Sequence, residues 1–210
     1  MRPLPLHRLF ARRLLTASTI RYGAAGWPVA PGAWWDGQHY TCPAPACRRT
    51  GLHPAGDPAG GHPTHLRSST DPAQVRAWWA GHPHTILLPT GDALDVVEAP
   101  AQLAAPVWRR LYARGVLVPT ASLPGGRWLL FTTPTPAGYS AEELPGSVVH
   151  HGAGSYVPAP PSALRHGPVR WEHAPWVSAW RLPEAQVVLD ALAAQQRRGS
   201  PRPATSIHWT

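Results

Sequence analysis

Apolar residues recur with helical spacing in four segments of the chain. The first runs from Leu14 to Ala25, and the second opens at Asp71-Pro72, an N-cap residue followed by proline at the first helical position. The third covers residues 106–114 and stops before a glycine, and the last covers residues 183–198. This pattern predicts four helices.

Short apolar runs that are bounded by turn residues lie between these helices. Such runs are typical of strands, and the Gly-Gly turn at 125–126 favours a hairpin. Helices and strands in this order indicate an α+β fold, in which a mixed or antiparallel sheet is flanked by helices. The predicted strands are a segment that begins at 27–29 and residues 85–89, 93–99, 116–121, 127–133, 147–151 and 155–158.

The same pattern divides the chain into four parts. They are a basic N-terminal extension (1–14), a main domain (15–182), a C-terminal helix packed on that domain (183–198) and a disordered tail (199–210). Residues 32–68 contain glycine, proline, histidine and both cysteines without any apolar period. Because a loop of that length is uncommon inside a compact domain, we expect it to have an ordering device of its own.

Composition adds a strong positive charge to this picture. The 210 residues include 19 basic side chains, all of them arginine, and 11 acidic ones, which gives a net charge of +8. The absence of lysine is typical of a GC-rich genome, but the same bias does not explain the scarcity of acids. The charge therefore predicts a polyanionic partner, with nucleic acid or nucleotide as the leading candidate.

Three classes of protein are disfavoured. The longest apolar runs, such as residues 128–131, are far shorter than the ~20 residues of a membrane span. Two cysteines cannot form a disulfide framework in a chain of this size. Arg12-Arg13 interrupts the apolar stretch that a secretory signal would need. We therefore expect a cytoplasmic protein that does not contact a membrane.

Both cysteines lie in the 32–68 loop. Cys42, Cys47 and His53 offer two thiolates and an imidazole within a segment rich in proline and glycine. Zn²⁺ prefers four such ligands in a tetrahedron, and the ion would order a loop that is too polar to fold by burial. The spacing therefore predicts a structural zinc site in this loop.

The fourth ligand of this site is open among three histidines. His39 precedes the first cysteine, and His62 and His65 follow the third ligand. The alternative is that some of the 12 histidines lie near the two reduced thiols by chance.

Seven short motifs follow one another between Leu15 and Trp171. The most specific motif is Gly-Ser-Tyr-Val-Pro-Ala-Pro-Pro-Ser at 154–162. The others are Ala-Ala-Gly-Trp-Pro-Val at 24–29, the Cys/Cys/Gly-Leu-His-Pro loop, Ser-Thr-Asp-Pro at 69–72 leading to Ala-Trp-Trp, Pro-Thr-Gly at 89–91, a strand with an acid, and Pro-Gly-Gly-Arg at 124–127. Their order resembles that of the bifunctional DNA primase/polymerase (Prim-Pol) N-terminal domain of the archaeo-eukaryotic primase superfamily, in its actinobacterial form.

The resemblance implies a primase/polymerase-like domain with an RRM-like core, here with a Cys/His loop insertion, and template-directed nucleotidyl transfer. Two Mg²⁺ or Mn²⁺ ions held by carboxylates would activate a 3′-hydroxyl. The family carries an Asp-x-Asp pair, a Gly-Gly-Arg-His strand whose histidine contacts nucleotide phosphates, and a further aspartate before a Gly-Gly-Tyr turn. On this chain those motifs fall on Asp95 and Glu98, on Arg127 and Trp128, and near His150.

Each of these motifs departs from the family pattern. Residues i and i+2 of a strand share a face, so Asp95 and Glu98 should point to opposite faces and cannot jointly hold a metal pair. Trp128 stands where the phosphate-binding histidine is expected, and no acid falls near His150. The sequence therefore predicts a Prim-Pol-like protein that binds nucleotide or nucleic acid and is catalytically degenerate.

Two other functions stay open. One is an active template-dependent primase/polymerase whose rearranged metal site uses Mg²⁺ or Mn²⁺ with Asp92, Asp95, Glu98 and the His150-His151 pair. The other is a zinc-stabilised module for protein interaction. Because the chain has no GxxxxGK[ST] motif, any replication role would need a partner protein such as a helicase.

Several side chains have both a binding and a structural interpretation. Arg127 is either a phosphate contact or a solvent-exposed hairpin residue. Ser162 is either a nucleotide contact, as the resemblance implies, or a turn residue. His150 and His151 should face opposite sides of a strand, so we expect one structural and one exposed histidine.

Overall fold

The computed structural model describes residues 6–57, 61, 66–135 and 146–199, and the side chains of residues 11–198 within these ranges. Its helices are α1 (Leu6–Ala24), α2 (Pro72–Gly81), α3 (Ala101–Ala113) and α4 (Ala185–Gly199), with a 3-10 helix at Pro175–Ser178. Its strands are β1 (Ala30–Gly32), β2 (Trp34–Trp35), β3 (Tyr40–Thr41), β4 (Thr85–Pro89), β5 (Asp95–Pro100), β6 (Thr120–Leu123), β7 (Arg127–Thr132), β8 (Val149–His151), β9 (Tyr156–Pro158), β10 (Ala163–Leu164), β11 (Gly167–Pro168) and β12 (Arg170–His173).

The strands form four sheets, and all described pairings are antiparallel. The largest has five strands in the order β12-β6-β7-β5-β8, and the second has three in the order β1-β4-β9. Two-stranded ribbons join β2 to β3 and β10 to β11. The predicted α+β class is confirmed, with the antiparallel form of the sheet. No helix in the described ranges is long and apolar enough to cross a membrane.

The five-stranded sheet is buried on both faces. A first core packs Val96 and Phe131 of this sheet against α1, α2 and the three-stranded sheet. A second core packs Val97 and Leu130 against α3 and α4. Neighbouring residues of β5 therefore enter different cores, as the pleat of a strand requires. This alternation decides the side on which each polar residue of β5 lies.

The four predicted helices are present, and the second begins where its sequence indicates. Both carboxylate oxygens of Asp71 accept hydrogen bonds from backbone N–H groups of the first turn of α2. Two other helices begin earlier than predicted. Helix α1 begins at Leu6 instead of Leu14, and α3 begins at Ala101 with Pro106 in its interior. Burial of one face of α3 in the second core outweighs the hydrogen bond that proline removes.

A contact between helices accounts for the longer α1. The guanidinium of Arg12 donates hydrogen bonds to the backbone oxygens of Trp79 and Ala80 near the end of α2. Those carbonyl groups have no partner inside their own helix, so the arginine caps α2 while it lengthens α1. The predicted division at residues 14 and 15 therefore falls inside one helix. Residues 200–210 of the predicted tail lie outside the described residues, and the domain division stays a prediction.

Two short connections join the three-stranded sheet to the five-stranded one. Residues 90–94 lead from β4 to β5, and residues 152–155 lead from β8 to β9. Thr90 connects them, because its N–H donates to the carbonyl of Ser155 (3.1 Å) and its Oγ1 donates to the carbonyl of Gly152 (2.6 Å). The consecutive strands predicted at 147–151 and 155–158 thus belong to different sheets.

Candidate functional site

Strand β5 carries its two carboxylates on opposite faces of the sheet. Asp95 lies on the face of the second core together with Val97, and Glu98 lies on the face of the first core together with Val96. The divergence predicted from strand geometry is confirmed. Each carboxylate has a histidine partner from β8, and the two resulting clusters are separated by the sheet.

The Asp95 cluster consists of Asp95, Thr135 and His150. Oδ2 of Asp95 lies 2.9 Å from Nε2 of His150, and it accepts hydrogen bonds from the backbone N (2.8 Å) and Oγ1 (2.7 Å) of Thr135. The other oxygen, Oδ1, is buried and has no hydrogen-bond partner among the described residues. A buried carboxylate oxygen without a partner costs free energy, so this position favours a water molecule or a cation.

The Glu98 cluster consists of Glu98, Arg127, His151 and Ser155. Nε2 of His151 lies 2.9 Å from Oε2 of Glu98, and Nε of Arg127 donates to Oε1. On its other side, Nδ1 of His151 lies 3.1 Å from Oγ of Ser155. The hydrogen bond from His151, and then that from Arg127, lower the pKa of Glu98 against the opposing effect of burial. Glu98 is therefore a carboxylate at neutral pH.

The two clusters do not converge on one face of the sheet. Metal ions about 3.5–4 Å apart need bridging carboxylates on the same side of a sheet. Val96 and Pro100 occupy the positions of β5 that share a face with Glu98, and Val97 occupies the position next to Asp95. Opposite Glu98 on β8 stands Val149, which is exposed and apolar. In the described ranges, neither face combines three acidic or metal-ligating groups at β5.

The other predicted site residues are divided between the two faces. Arg127 lies beside Glu98, bound to its carboxylate and to the carbonyl of Ser147 (3.0 Å). Trp128 lies on the opposite face and packs against the second core. Arg127 is thus not the solvent-exposed hairpin residue of the second alternative, since its guanidinium is half-buried in an ion pair. Trp128 does not stand on the side of Glu98 and Arg127.

Two further expectations about single residues need revision. His150 and His151 do face opposite sides, but neither is the exposed histidine that was predicted, because 15% and 19% of their side chains are exposed and both pair with carboxylates. Ser162 is buried, and its Oγ accepts a hydrogen bond from the N–H of Ile86 (2.8 Å). This bond holds the turn after β9 against β4, which is a structural role.

The Cys/His loop forms a compact ligand group. The ligand atoms of Cys42, Cys47 and His53 all lie within 4.8 Å of one another. Nε2 of His53 is 3.5 Å from Sγ of Cys47, while Nδ1 lies 2.9 Å from the carbonyl of Gly51. That carbonyl orients the ring in the way that outer partners orient metal-bound histidines. Two thiols and an oriented imidazole fit a metal ion.

The structure does not bring His39 into this ligand group. His39 is 70% exposed, and its Nε2 lies 3.2 Å from Oδ2 of Asp36. Asp36 also accepts backbone hydrogen bonds from the turn between β2 and β3, which holds this part of the loop outside the ligand group. The fourth ligand therefore stays a prediction. His62 and His65, the competing candidates, lie outside the described residues.

Sequence reasoning missed two members of the carboxylate clusters. Thr135 was not considered, and Ser155 was seen only as part of a motif. Their contacts require β8 to pair with β5 in one particular register, in which His150 stands opposite Val97. The two adjacent histidines before a glycine turn were the available signal, but their partners follow from that register alone.

The family model described as "Bifunctional DNA primase/polymerase, N-terminal" matches residues 19–187 of the chain. The matched range includes the Cys/His group, both carboxylate clusters and most of the two cores. A search of the curated proteins finds no match to this chain.

Proposed function

Because the chain belongs to the bifunctional DNA primase/polymerase N-terminal family, we propose that it binds nucleotide or nucleic acid without catalysing nucleotidyl transfer. The observation that carries this proposal is the placement of Asp95 and Glu98 on opposite faces of the sheet. Nucleotidyl transfer by two metal ions depends on carboxylates that converge from one side.

The surroundings of each carboxylate add support for the loss of catalysis. The ion pair of Glu98 with Arg127 and its hydrogen bond with His151 already occupy both carboxylate oxygens. A metal ion at Glu98 would have to displace these two side chains, and it would find no second acid on that face of β5. Asp95 lies in a buried cluster beneath the helices of the second core, where a nucleotide and a template would have no common access.

Among the predicted binding residues, Arg127 has the best position for an anionic ligand. It lies at the start of β7, about a third of its side chain is exposed, and a guanidinium presents five N–H donors in a fork suited to phosphate. Trp128 and His150 face the second core, and Ser162 is buried beneath β4. We therefore assign phosphate contact to Arg127, and we assign structural roles to Trp128, His150 and Ser162.

We further propose that Cys42, Cys47 and His53 hold a structural Zn²⁺. Two thiolates and one imidazole are donors that zinc prefers, and the carbonyl of Gly51 fixes the ring of His53. The ion would stabilise a loop whose described residues form one short ribbon and isolated bridges. No step of nucleotide chemistry depends on this ion.

Primer extension and single-strand binding together test the proposal. Wild type and an Asp95→Ala/Glu98→Ala double variant are incubated with primed template, nucleotides and Mg²⁺ or Mn²⁺, and both are titrated with labelled single-stranded DNA. We expect no template-dependent product from either protein, and binding by the wild type that weakens steeply with salt as counterions are released. Product that appears only with the wild type would establish a rearranged metal site. Absence of binding at low salt would favour an interaction module instead.

A further inference from the structure

An aromatic groove lies on the side of the molecule formed by the end of α3, strand β12 and the 3-10 helix. It has a volume of about 340 Å³, which is within the range of small-ligand sites. Its lining includes Trp108, Tyr112, Leu117, His173, Trp176 and Val177. None of them belongs to the carboxylate clusters or to the Cys/His group.

The groove concentrates the exposed apolar surface of the molecule. Seven large hydrophobic side chains are exposed in the described part of the chain, and four of them line this groove. Tyr112 is 55% exposed, Trp176 is 46% exposed and Val177 is 68% exposed. Large aromatic side chains gain most by burial, so a cluster of them in solvent marks an interaction surface.

The rings on one wall are stacked and end at an open face. Trp108 is parallel to His173, with ring centroids 3.3 Å apart, and it also stacks with Tyr112 at 4.9 Å. The indole N–H of Trp108 donates to the carbonyl of Val118 (2.9 Å), which fixes the ring. Burial lowers the pKa of His173, so this ring is neutral at neutral pH. The stack is thus a rigid, uncharged platform that ends at the exposed ring of Tyr112.

One positive charge lies against the groove, and three more are close to its residues in sequence. The guanidinium of Arg21 lies 4.7 Å from the centroid of the Trp176 ring, in a cation–π contact. Arg114, Arg170 and Arg181 are exposed and stand within a few residues of groove residues along the chain. Glu172 is the acid among the lining residues. Aromatic rings flanked by cations suit a ligand with flat faces and anionic links.

We propose that this groove binds single-stranded nucleic acid, with bases stacked on Tyr112 and Trp176 and phosphates beside the flanking arginines. Such stacking tolerates any sequence, because every base has a π-face, and a basic surface supplies the contact to the backbone. A proline-rich peptide would also suit aromatic rings, but it does not account for the guanidinium of Arg21 at the Trp176 ring. The inference rests on the proposed nucleic-acid binding, and it places the stacked bases on a surface that does not include Glu98 or Arg127.

The test measures the affinity of the full chain for two labelled probes by fluorescence anisotropy. One is an oligothymidylate of about 15 nucleotides, long enough for one binding site, and the other is an abasic oligomer with the same number of phosphates. The variants are Tyr112→Ala and Trp176→Ala, with Tyr112→Phe and Trp176→Phe as ring-preserving controls. Val187→Ala removes an exposed apolar side chain outside the groove and serves as the matched control. Near-ultraviolet circular dichroism verifies the fold of each variant.

We expect each alanine variant to bind oligothymidylate roughly five- to a hundredfold more weakly, the loss that one stacked base accounts for. The phenylalanine variants and Val187→Ala should stay within about threefold of the wild type, and no variant should change affinity for the abasic oligomer by more than that. If the alanine variants bind oligothymidylate as tightly as the wild type, the groove is not the binding site, and the proposed function is unaffected. Wild type that binds neither probe at low salt would overturn the proposed function itself. Variants that alter self-association or peptide binding alone would assign the groove to a protein partner.

Discussion

His151 lies between Glu98 and Ser155, with Nε2 2.9 Å from the carboxylate and Nδ1 3.1 Å from the hydroxyl. The arrangement connects β5 to the turn that leads into β9, and Arg127 completes it from β7. Four polar side chains thus satisfy one another at the border of the first core. Because they are mutually dependent, removing one leaves partially buried polar groups without a partner.

Glu98→Gln should destabilise the protein in a way that depends on pH. The pKa of Glu98 is lower in the folded state than its ordinary value of 4.5. Its contribution to the free energy of unfolding is therefore complete above pH 4.5 and is lost as pH falls through the folded-state pKa. We expect a loss of about 1–3 kcal/mol in the free energy of unfolding at pH 7. Urea unfolding at pH 7 and pH 3 measures the loss, which should shrink at the lower pH. The exposed Glu184→Gln variant is the control, and an equal loss in both variants would contradict the prediction.

Removal of a zinc ligand should release the metal and lower the melting temperature. Cys47→Ser and His53→Ala each remove one donor from the group, and His39→Ala is the control because His39 pairs with Asp36 instead. Elemental analysis should find near-stoichiometric zinc in the wild type and in His39→Ala, and little in the other two. We expect their melting temperature to fall by about 5 °C or more, as for the loss of about 2 kcal/mol in the free energy of unfolding. A wild-type protein that contains no metal would contradict the proposed zinc site.

His84 should make the protein less stable in mild acid. Burial lowers the pKa of its ring to about 4, so between the ordinary value of 6.5 and pH 4 the unfolded chain binds a proton that the folded chain does not. The free energy of unfolding therefore decreases as pH is lowered from 6.5 to 4, by up to about 3 kcal/mol. Urea unfolding from pH 7 to pH 4.5 should give a shallower pH dependence for His84→Gln than for wild type. The exposed His166→Gln variant should keep the wild-type slope, and an unchanged slope in His84→Gln would contradict the assignment.

Gly91→Ala should be strongly destabilising. A methyl group on Gly91 would lie 2.4 Å from the backbone Cα of Ala153, and the φ of +112° disfavours any other residue. We expect a loss of about 2 kcal/mol or more in the free energy of unfolding. Gly81→Ala is the matched control because a methyl group there meets no atom within 4 Å. Similar unfolding free energies for both variants would contradict the prediction, because the connections at residues 90–94 and 152–155 could then move apart at little cost.

Local rules predicted part of this architecture and of its site. The N-cap at Asp71 and the opposite faces of Asp95 and Glu98 depend on neighbours within a few residues, and both are present in the structure. The true start of α1 depends on a contact between Arg12 and Ala80, which are 68 positions apart. No pattern within the first helix could have indicated that contact.

The histidine partners were equally beyond local rules. The pair of Glu98 and His151 spans 53 positions and requires the register between β5 and β8. His39 lies outside the ligand group for a different reason, because Asp36 stands three residues earlier and its carboxylate contacts the imidazole. Spacing to the cysteines predicted a ligand, while a nearer carboxylate determined the actual contact.

The hydrogen bonds of Thr90 bear on how the molecule can move. The two short connections between the sheets are hydrogen-bonded to each other through this residue. We therefore expect that residues 90–94 and 152–155 do not act as a hinge between the two sheets. Amide hydrogens of β4 and β5 should then exchange in one cooperative event, as in a single rigid body. A ligand that contacts both sheets meets a surface that is already in its bound shape, and it gains no affinity or selectivity from closure.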